Sequence, residues 1–215
     1  MSDHLSRLQR LYSAVIADVL DFLGHRNQIL GAEIRGLTPA NRLCGRVFTA
    51  KAIPVDQYPA EPYKLEMQAI DTMQSGDVLV VDAGHDRHSA FWGELLTTAC
   101  IAKGVRGLVM TGCCRDMWAL HRMNFPVFGI GCTPADSAGR LDVIEIAQPI
   151  EIDGVATKNG DYLIGDLDGV VIVPQESIDD ALRLAEEKVA GENTVREQLR
   201  AGVPVAEVFK KHGIL

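Results

Sequence analysis

The sequence predicts an α/β fold in which a parallel βαβ unit is joined to a β-rich half, all within one domain spanning residues 1–215. Three observations predict it. Strand-like and helix-like segments alternate over residues 77–130, the order that builds a parallel sheet. Beyond them, "DVIEIAQPIEIDGVATKNGDYLIGDLDGVVIVP" is cut into short apolar runs at Asp153-Gly154, Asn159-Gly160 and Asp168-Gly169, dipeptides that tolerate the positive φ of tight turns. A hydrophobic share of 47% against 23% charged residues is that of a globular chain with a full core.

Taken in order, the elements read as follows. Leu5, Leu8, Val15, Ile16, Val19, Leu20 and Leu23 recur at helical spacing and stop at Gly24, predicting one helix over 5–23. "CGRVFTAKAI" predicts a strand ended by Pro54, and Pro59 and Pro62 lie in a loop ahead of a helix near 62–74. "VLVVDA" is the uninterrupted apolar run of a buried strand. A helix is expected over about 90–103, ended by Gly104, followed by strand "GLVMT", a short helix after Arg115, and strand "PVFGI". From Glu176 the chain reads as helical, with a break at Gly191, a turn at Gly202 and a last helix begun by Pro204. Tyr63 and Trp92 are expected to be packing residues.

A net charge of −8 offers no long-range attraction to nucleic acid or to an anionic membrane, and no Lys/Arg-rich run is present. The first apolar segment contains acids, so neither a signal peptide nor a membrane span is expected, and the cytoplasm is the expected compartment. The five cysteines, Cys44, Cys100, Cys113, Cys114 and Cys132, are an odd set without C-x-x-C spacing. That argues against a disulfide framework or a zinc site and leaves each as a small buried hydrophobe.

In a parallel unit, ligands bind beyond the carboxyl ends of the strands. The loop after "VLVVDA" leads to a helix whose first turn holds Glu94, and the loop after "GLVMT" holds Arg115 and Asp116. Both leave the same sheet edge, so Glu94, Arg115 and Asp116 should meet there. The helix start around Gly93 to Leu96 adds unsatisfied N–H groups suited to a carboxylate or phosphate. Two acids without histidine or thiolate partners favour a hard cation, Mg²⁺ or Mn²⁺, and a guanidinium beside them suits an oxyanion. The same residues have a plain reading: Glu94 as a helix-dipole partner and Arg115-Asp116 as a surface ion pair.

On "DVLDFLG" (18–24), "SGDVLVVDAG" (75–84), "AFWGELLTTACIAKGVRGLVMTGCCRD" (90–116), "FPVFGIG" (125–131) and "GDYLIGDLDGVVIVP" (160–174), the chain resembles the RraA-like family. It resembles in particular the class II pyruvate aldolases acting on 4-hydroxy-4-methyl-2-oxoglutarate and 4-carboxy-4-hydroxy-2-oxoadipate. The aldolase branch is marked by an acid, twenty intervening residues and Arg-Asp, which Glu94 to Arg115-Asp116 matches. The resemblance implies a β/β/α swivelling-domain-like sandwich in homotrimers or hexamers, with sites between subunits and the C-terminal helices of about 176–212 contacting a neighbour. It implies a small 2-oxo acid substrate and Mg²⁺ or Mn²⁺, with Asp116 a direct ligand. Glu94 would act through water, as would Glu192 from a neighbouring subunit. Arg115 would hold the pyruvate enolate oxygen, and the Leu95 and Leu96 amides beside Gly93 the carboxylate. Oxaloacetate decarboxylation would be a side activity.

Many members carry a Ser-Pro-Arg-Gly-like loop after "FPVFGIG"; here it is "CTPADSAGR". Asp136 there would repel a carboxylate-rich substrate unless Arg140 compensates, which puts the two usual substrates in doubt. His85 and His88 are loop residues with a substrate contact as the sharper reading. The family also contains regulators that bind and inhibit an RNA-degrading endonuclease. Those lose the Asp of Arg-Asp, which is kept here, so the resemblance favours an enzyme.

Overall fold

The computed structural model describes residues 3–213. It opens with two helices, α1 (Asp3–Leu8) and α2 (Ser13–Phe22), where the apolar spacing predicts one. The break has a tertiary cause. Ser13 donates its N–H and its hydroxyl to the two carboxylate oxygens of Asp166, at 2.8 and 2.6 Å, so a distant residue starts the second helix. Arg42 holds the Leu11 carbonyl on the intervening turn at 2.8 Å. The periodicity survives the break because Leu8, Leu11, Val15 and Ile16 all enter one apolar cluster.

The short β1 (Arg35–Gly36) precedes β2 (Leu43–Pro54), a strand of 12 residues. Then follow α3 (Lys64–Thr72), β3 (Asp77–Asp82), β4 (Ala90–Trp92), α4 (Glu94–Lys103), β5 (Gly107–Met110), β6 (Cys113–Cys114), α5 (Met117–Met123), β7 (Val127–Gly129) and β8 (Gly131–Cys132). Strands β2, β3, β5 and β7 pair in parallel, as the alternation predicts. The helix expected over 90–103 begins later. Ala90, Phe91 and Trp92 are instead a buried strand paired in parallel with β6, and Gly93 is extended with φ −156°. Three apolar residues running straight into a helix give no period by which sequence could separate them.

The β-rich half comprises β9 (Leu141–Ile146), the hairpin β10 (Ile150–Ile152) and β11 (Val155–Thr157), β12 (Tyr162–Gly165) and β13 (Val170–Val173). The hairpin turns through Asp153 and Gly154, both at positive φ (51° and 78°), as its Asp-Gly pair predicts. On its edge away from β3, β2 pairs with β12 near its start and β9 near its end, with a register shift at Lys51/Ala52. One sheet of eight strands results.

Both of its faces are covered. In β3, Leu79 and Val81 enter one apolar cluster with residues of α3, α4 and α5, while Val78 and Val80 enter another with the β10–β11 hairpin. That period of two, with both sets apolar, is why the strand reads as continuously hydrophobic. Beyond a 3-10 turn at Gln175–Ser177, α6 (Ile178–Arg200) runs 23 residues straight through Gly191, so the expected break is absent. A mid-helix glycine costs only about 1 kcal/mol, and Ile178, Ala181, Leu182 and Ala185 anchor the helix against α1, α2 and β13. A turn at Gly202 (φ 83°) leads through Pro204 to α7 (Val205–His212).

Candidate active site

Past the edge of the main sheet, strands β4, β6 and β8 form a small parallel sheet of their own. Its ladder continues beyond the last paired residues: Arg115 N–H donates to the Trp92 carbonyl at 2.9 Å, and Thr133 N–H to the Cys114 carbonyl at 3.0 Å. Residues far apart in the chain are thereby set side by side. Gly93 and Glu94 follow β4, Arg115 and Asp116 follow β6, and all four line one cavity of about 300 Å³.

Asp116 sits in the left-handed region (φ 59°, ψ 32°), which Asp tolerates better than most residues, and its carbonyl accepts the Ala119 and Leu120 N–H groups as α5 begins. Its carboxylate Oδ2 accepts the Glu94 N–H at 3.1 Å. A Cβ on Gly93 would lie 2.7 Å from that oxygen, so the approach needs glycine. The first turn of α4 is held by a relay: Trp92 Nε1–H donates to the Thr97 hydroxyl at 2.7 Å, and that hydroxyl to the Gly93 carbonyl at 2.9 Å. The Thr97 N–H also turns to Gly93, at 3.2 Å. With the Glu94 amide on Asp116, the Leu95 and Leu96 amides are the first-turn donors without a protein acceptor among the described residues.

Arg115 spans two carboxylates, with Nη2 3.3 Å from Asp136 Oδ1 and Nε 4.0 Å from Asp116 Oδ2. Five donors on one guanidinium leave others for a ligand. Asp136 is itself fixed beside β4, where the Ala90 N–H donates to the Ala135 carbonyl at 2.8 Å, and it accepts the Tyr63 hydroxyl at 2.8 Å. Tyr63 is therefore a wall of the cavity and not the packing residue expected, whereas Trp92 is buried as expected. Burial, then the bond to Asp136, pushes the Tyr63 hydroxyl up to about 12, so it remains a donor.

Glu66, not among the residues singled out from the sequence, lines the same cavity. It is 5% exposed and its Oε1 has no hydrogen-bond partner among the described residues. Burial first, then Asp136 and Asp142, push its pKa up to about 8 against the opposing pull of Arg115. An unfolded chain releases this proton near pH 4.5 while the folded chain keeps it to about 8, so stability falls as pH rises through that window and levels off above it. Glu66→Gln is expected to remove a decline on the order of a few kcal/mol. Urea melts of both proteins from pH 5 to 9 check this; parallel curves would refute it.

The donor set suits a hard divalent cation. Two carboxylates, Asp116 and Glu94, share the cavity with no thiolate or imidazole among its lining residues, and Mg²⁺ commonly takes one or two carboxylates and keeps waters. Among the described residues Glu94 Oε1 accepts only the Thr98 hydroxyl, at 3.1 Å, in a half-buried setting.

Other expected residues lie elsewhere. Arg140 does not line the cavity; its Nη1 donates to the Asp136 main-chain carbonyl at 2.9 Å. Glu192 is on α6 beside Tyr12, whose hydroxyl donates to it, and 3.7 Å from Arg196, away from its own chain's cavity. The His85 ring bridges Glu33 and Asp153 at 2.8 and 3.3 Å, and the His88 main-chain N–H donates to Asp86 at 3.0 Å; neither residue lines the cavity.

Four cysteines are buried as expected, with Cys113 and Cys114 facing opposite apolar clusters, but Cys132 is exposed. Burial raises the thiols of Cys44, Cys100, Cys113 and Cys114, which suppresses the thiolate. Iodoacetamide at neutral pH is expected to modify Cys132 alone in the folded protein, read by intact mass. Rapid labelling of a second site would overturn this.

The chain matches the RraA-like family, described as Aldolase/RraA, over residues 13–172. A Halalkalibacterium halodurans protein, provisionally named a 4-hydroxy-4-methyl-2-oxoglutarate aldolase, is 29% identical over 188 residues, covering 87% of this chain and 84% of the relative. Protein DlpA of Legionella pneumophila is 27% identical over 195 residues; the match covers 88% of this chain but spans only 31% of that longer relative. Among solved structures, an uncharacterized protein from Pseudomonas syringae superposes with TM-score 0.87 at 25% identity, over 98% of this chain and 94% of that one. Streptomyces coelicolor RraAS2, described as an unusual member of the RNase ES inhibitor RraA protein family, gives TM-score 0.84 at 27% identity, over 92% and 98%. The mixed α/β architecture is theirs, and this chain belongs to the RraA-like family.

Proposed function

We propose that the protein is a divalent-metal-dependent lyase that cleaves a 4-hydroxy-2-oxo acid to pyruvate and a second oxo compound, with oxaloacetate decarboxylation as a side activity. The observation that carries this reading is the convergence of two free helix-terminal amides, two carboxylates and a guanidinium on one cavity. Asp116 would hold Mg²⁺ or Mn²⁺, with Glu94 acting on it through a water. When bound, the cation supplies positive charge to the keto and carboxylate oxygens of the 2-oxo acid.

The chain's own residues do the rest. The Leu95 and Leu96 amides, at the positive end of α4, hold the substrate carboxylate. Glu94 orients a water that takes the C4 hydroxyl proton. The C3–C4 bond then breaks, C4 becoming a carbonyl while the electron pair passes into the enolate of pyruvate. Arg115 donates to the enolate oxygen as its charge develops, and water returns a proton to C3. Leu95 and Met67 line the cavity yet are exposed, apolar surface that a homotrimer or hexamer would cover, with Glu192 of the partner subunit completing the site.

The test is a screen of 4-hydroxy-2-oxo acids and oxaloacetate, with and without EDTA, coupled to lactate dehydrogenase. EDTA-sensitive pyruvate release is expected. Inactivity on all of them, with tight binding to an RNA-degrading endonuclease, would replace this reading by the regulator's.

A further inference from the structure

Two carboxyls in the cavity wall go unused by the proposed reaction, and of these Asp136 is already held by Tyr63 and Arg115 whereas Glu66 is not. It projects from α3 into a wall shared with Tyr63 and Asp136. A carboxyl this buried, with no hydrogen-bond partner on Oε1, sheds its charge by keeping its proton, because desolvation penalises the ionised form. The groups around it favour the same state. Asp136 and Asp142 repel a negative charge there, and Arg115, the opposing influence, lies 3.3 Å from Asp136. A protonated carboxyl is a hydrogen-bond donor as well as an acceptor.

The charge inventory of the cavity points the same way. Its lining contains four carboxyl groups, those of Glu66, Glu94, Asp116 and Asp136, and a single cationic side chain, Arg115. Arg140, which could have offset Asp136, is turned to a main-chain carbonyl instead. A cation at Asp116 would serve the 2-oxo acid end, and Arg115 is already on Asp136, so no further positive charge in the lining offsets a second carboxylate, which Asp136 would repel.

We propose that Glu66 contacts substrate and sets its class: its carboxyl O–H donates to a neutral oxygen beyond C4, and the acidic wall refuses a second carboxylate. The substrate is then a monocarboxylic 4-hydroxy-2-oxo acid bearing a distal hydroxyl, and its cleavage gives pyruvate and a neutral hydroxyaldehyde. This rests on the lyase reading above and narrows it.

Three probes that differ only at C5 test it: 4,5-dihydroxy-2-oxopentanoate, 4-hydroxy-2-oxopentanoate and 4-hydroxy-2-oxoglutarate. In kcat/KM the first is expected to exceed the second by about 10- to 100-fold, and the third to be poorer than either by at least about 100-fold. Glu66→Leu should bring the first two to near parity, and Glu66→Gln, which keeps an N–H donor, should restore most of the difference. Circular dichroism verifies that both variants fold. A preference for the glutarate, no turnover of any probe, or an unchanged ratio in Glu66→Leu would overturn the proposal. Deuterium uptake at C3 of pyruvate, which has no distal group, separates the two levels. Exchange by the wild type with a failed probe series sinks the inference alone; no exchange sinks the lyase reading with it.

Discussion

Replacing Asp116 by asparagine is expected to lower EDTA-sensitive pyruvate release by at least about 10³-fold in kcat while leaving the thermal midpoint within a few degrees. Asparagine is the informative choice because of the backbone. Asp116 occupies the left-handed region at φ 59°, which asparagine also tolerates. The amide oxygen can still accept the Glu94 N–H that Oδ2 accepts at 3.1 Å. What disappears is the negative charge that would anchor a cation. Asp116→Ala should abolish turnover too, but with roughly 1–2 kcal/mol of added backbone strain, so its loss of activity is less cleanly read. Gly93→Ala approaches the same oxygen from the other side: its Cβ would fall 2.7 Å from Oδ2 and displace the carboxylate. Steady-state rates across a Mg²⁺ titration, beside a melting curve, decide the matter. Wild-type turnover in Asp116→Asn would remove Asp116 from the metal site.

Much of this arrangement was legible because it follows from connectivity. Once "VLVVDA" and "GLVMT" are read as neighbouring parallel strands, the loops after them must leave one edge, and Glu94 must meet Arg115-Asp116. The burial of β3 on both faces was equally accessible, since an uninterrupted apolar run has no polar side to turn to solvent, but which residues face which layer was not. What could not be read depends on contacts between elements distant in the chain. The split of the first helix turns on Asp166 reaching Ser13. Tyr63 and Glu66 enter the cavity only because α3 packs beside β9 and the Asp136 loop, and nothing local to "EPYKLEM" announces a buried carboxyl. Glu66 carried one weak signal: it is an acid one turn before Ile70, and both are buried in the folded chain.

Arg115→Lys is expected to reduce kcat by about 100-fold with a small change in KM. The guanidinium lies between Asp136 and Asp116, at 3.3 and 4.0 Å, and a planar fork can hold such a carboxylate while offering further N–H groups to a substrate oxygen. An ammonium is a point charge on a shorter reach, and Asp136 would be its nearest attractive partner, so the donor proposed for the developing enolate would be drawn off. An interaction strengthened only as charge develops on that oxygen appears in kcat, whereas one made equally in the ground state appears in KM. Deuterium exchange into pyruvate isolates the step, because it forms the enolate without breaking a carbon–carbon bond, and it should fall by a similar factor. If KM rises while exchange is preserved, Arg115 binds substrate instead, and the charge on the enolate oxygen must be met by the cation alone.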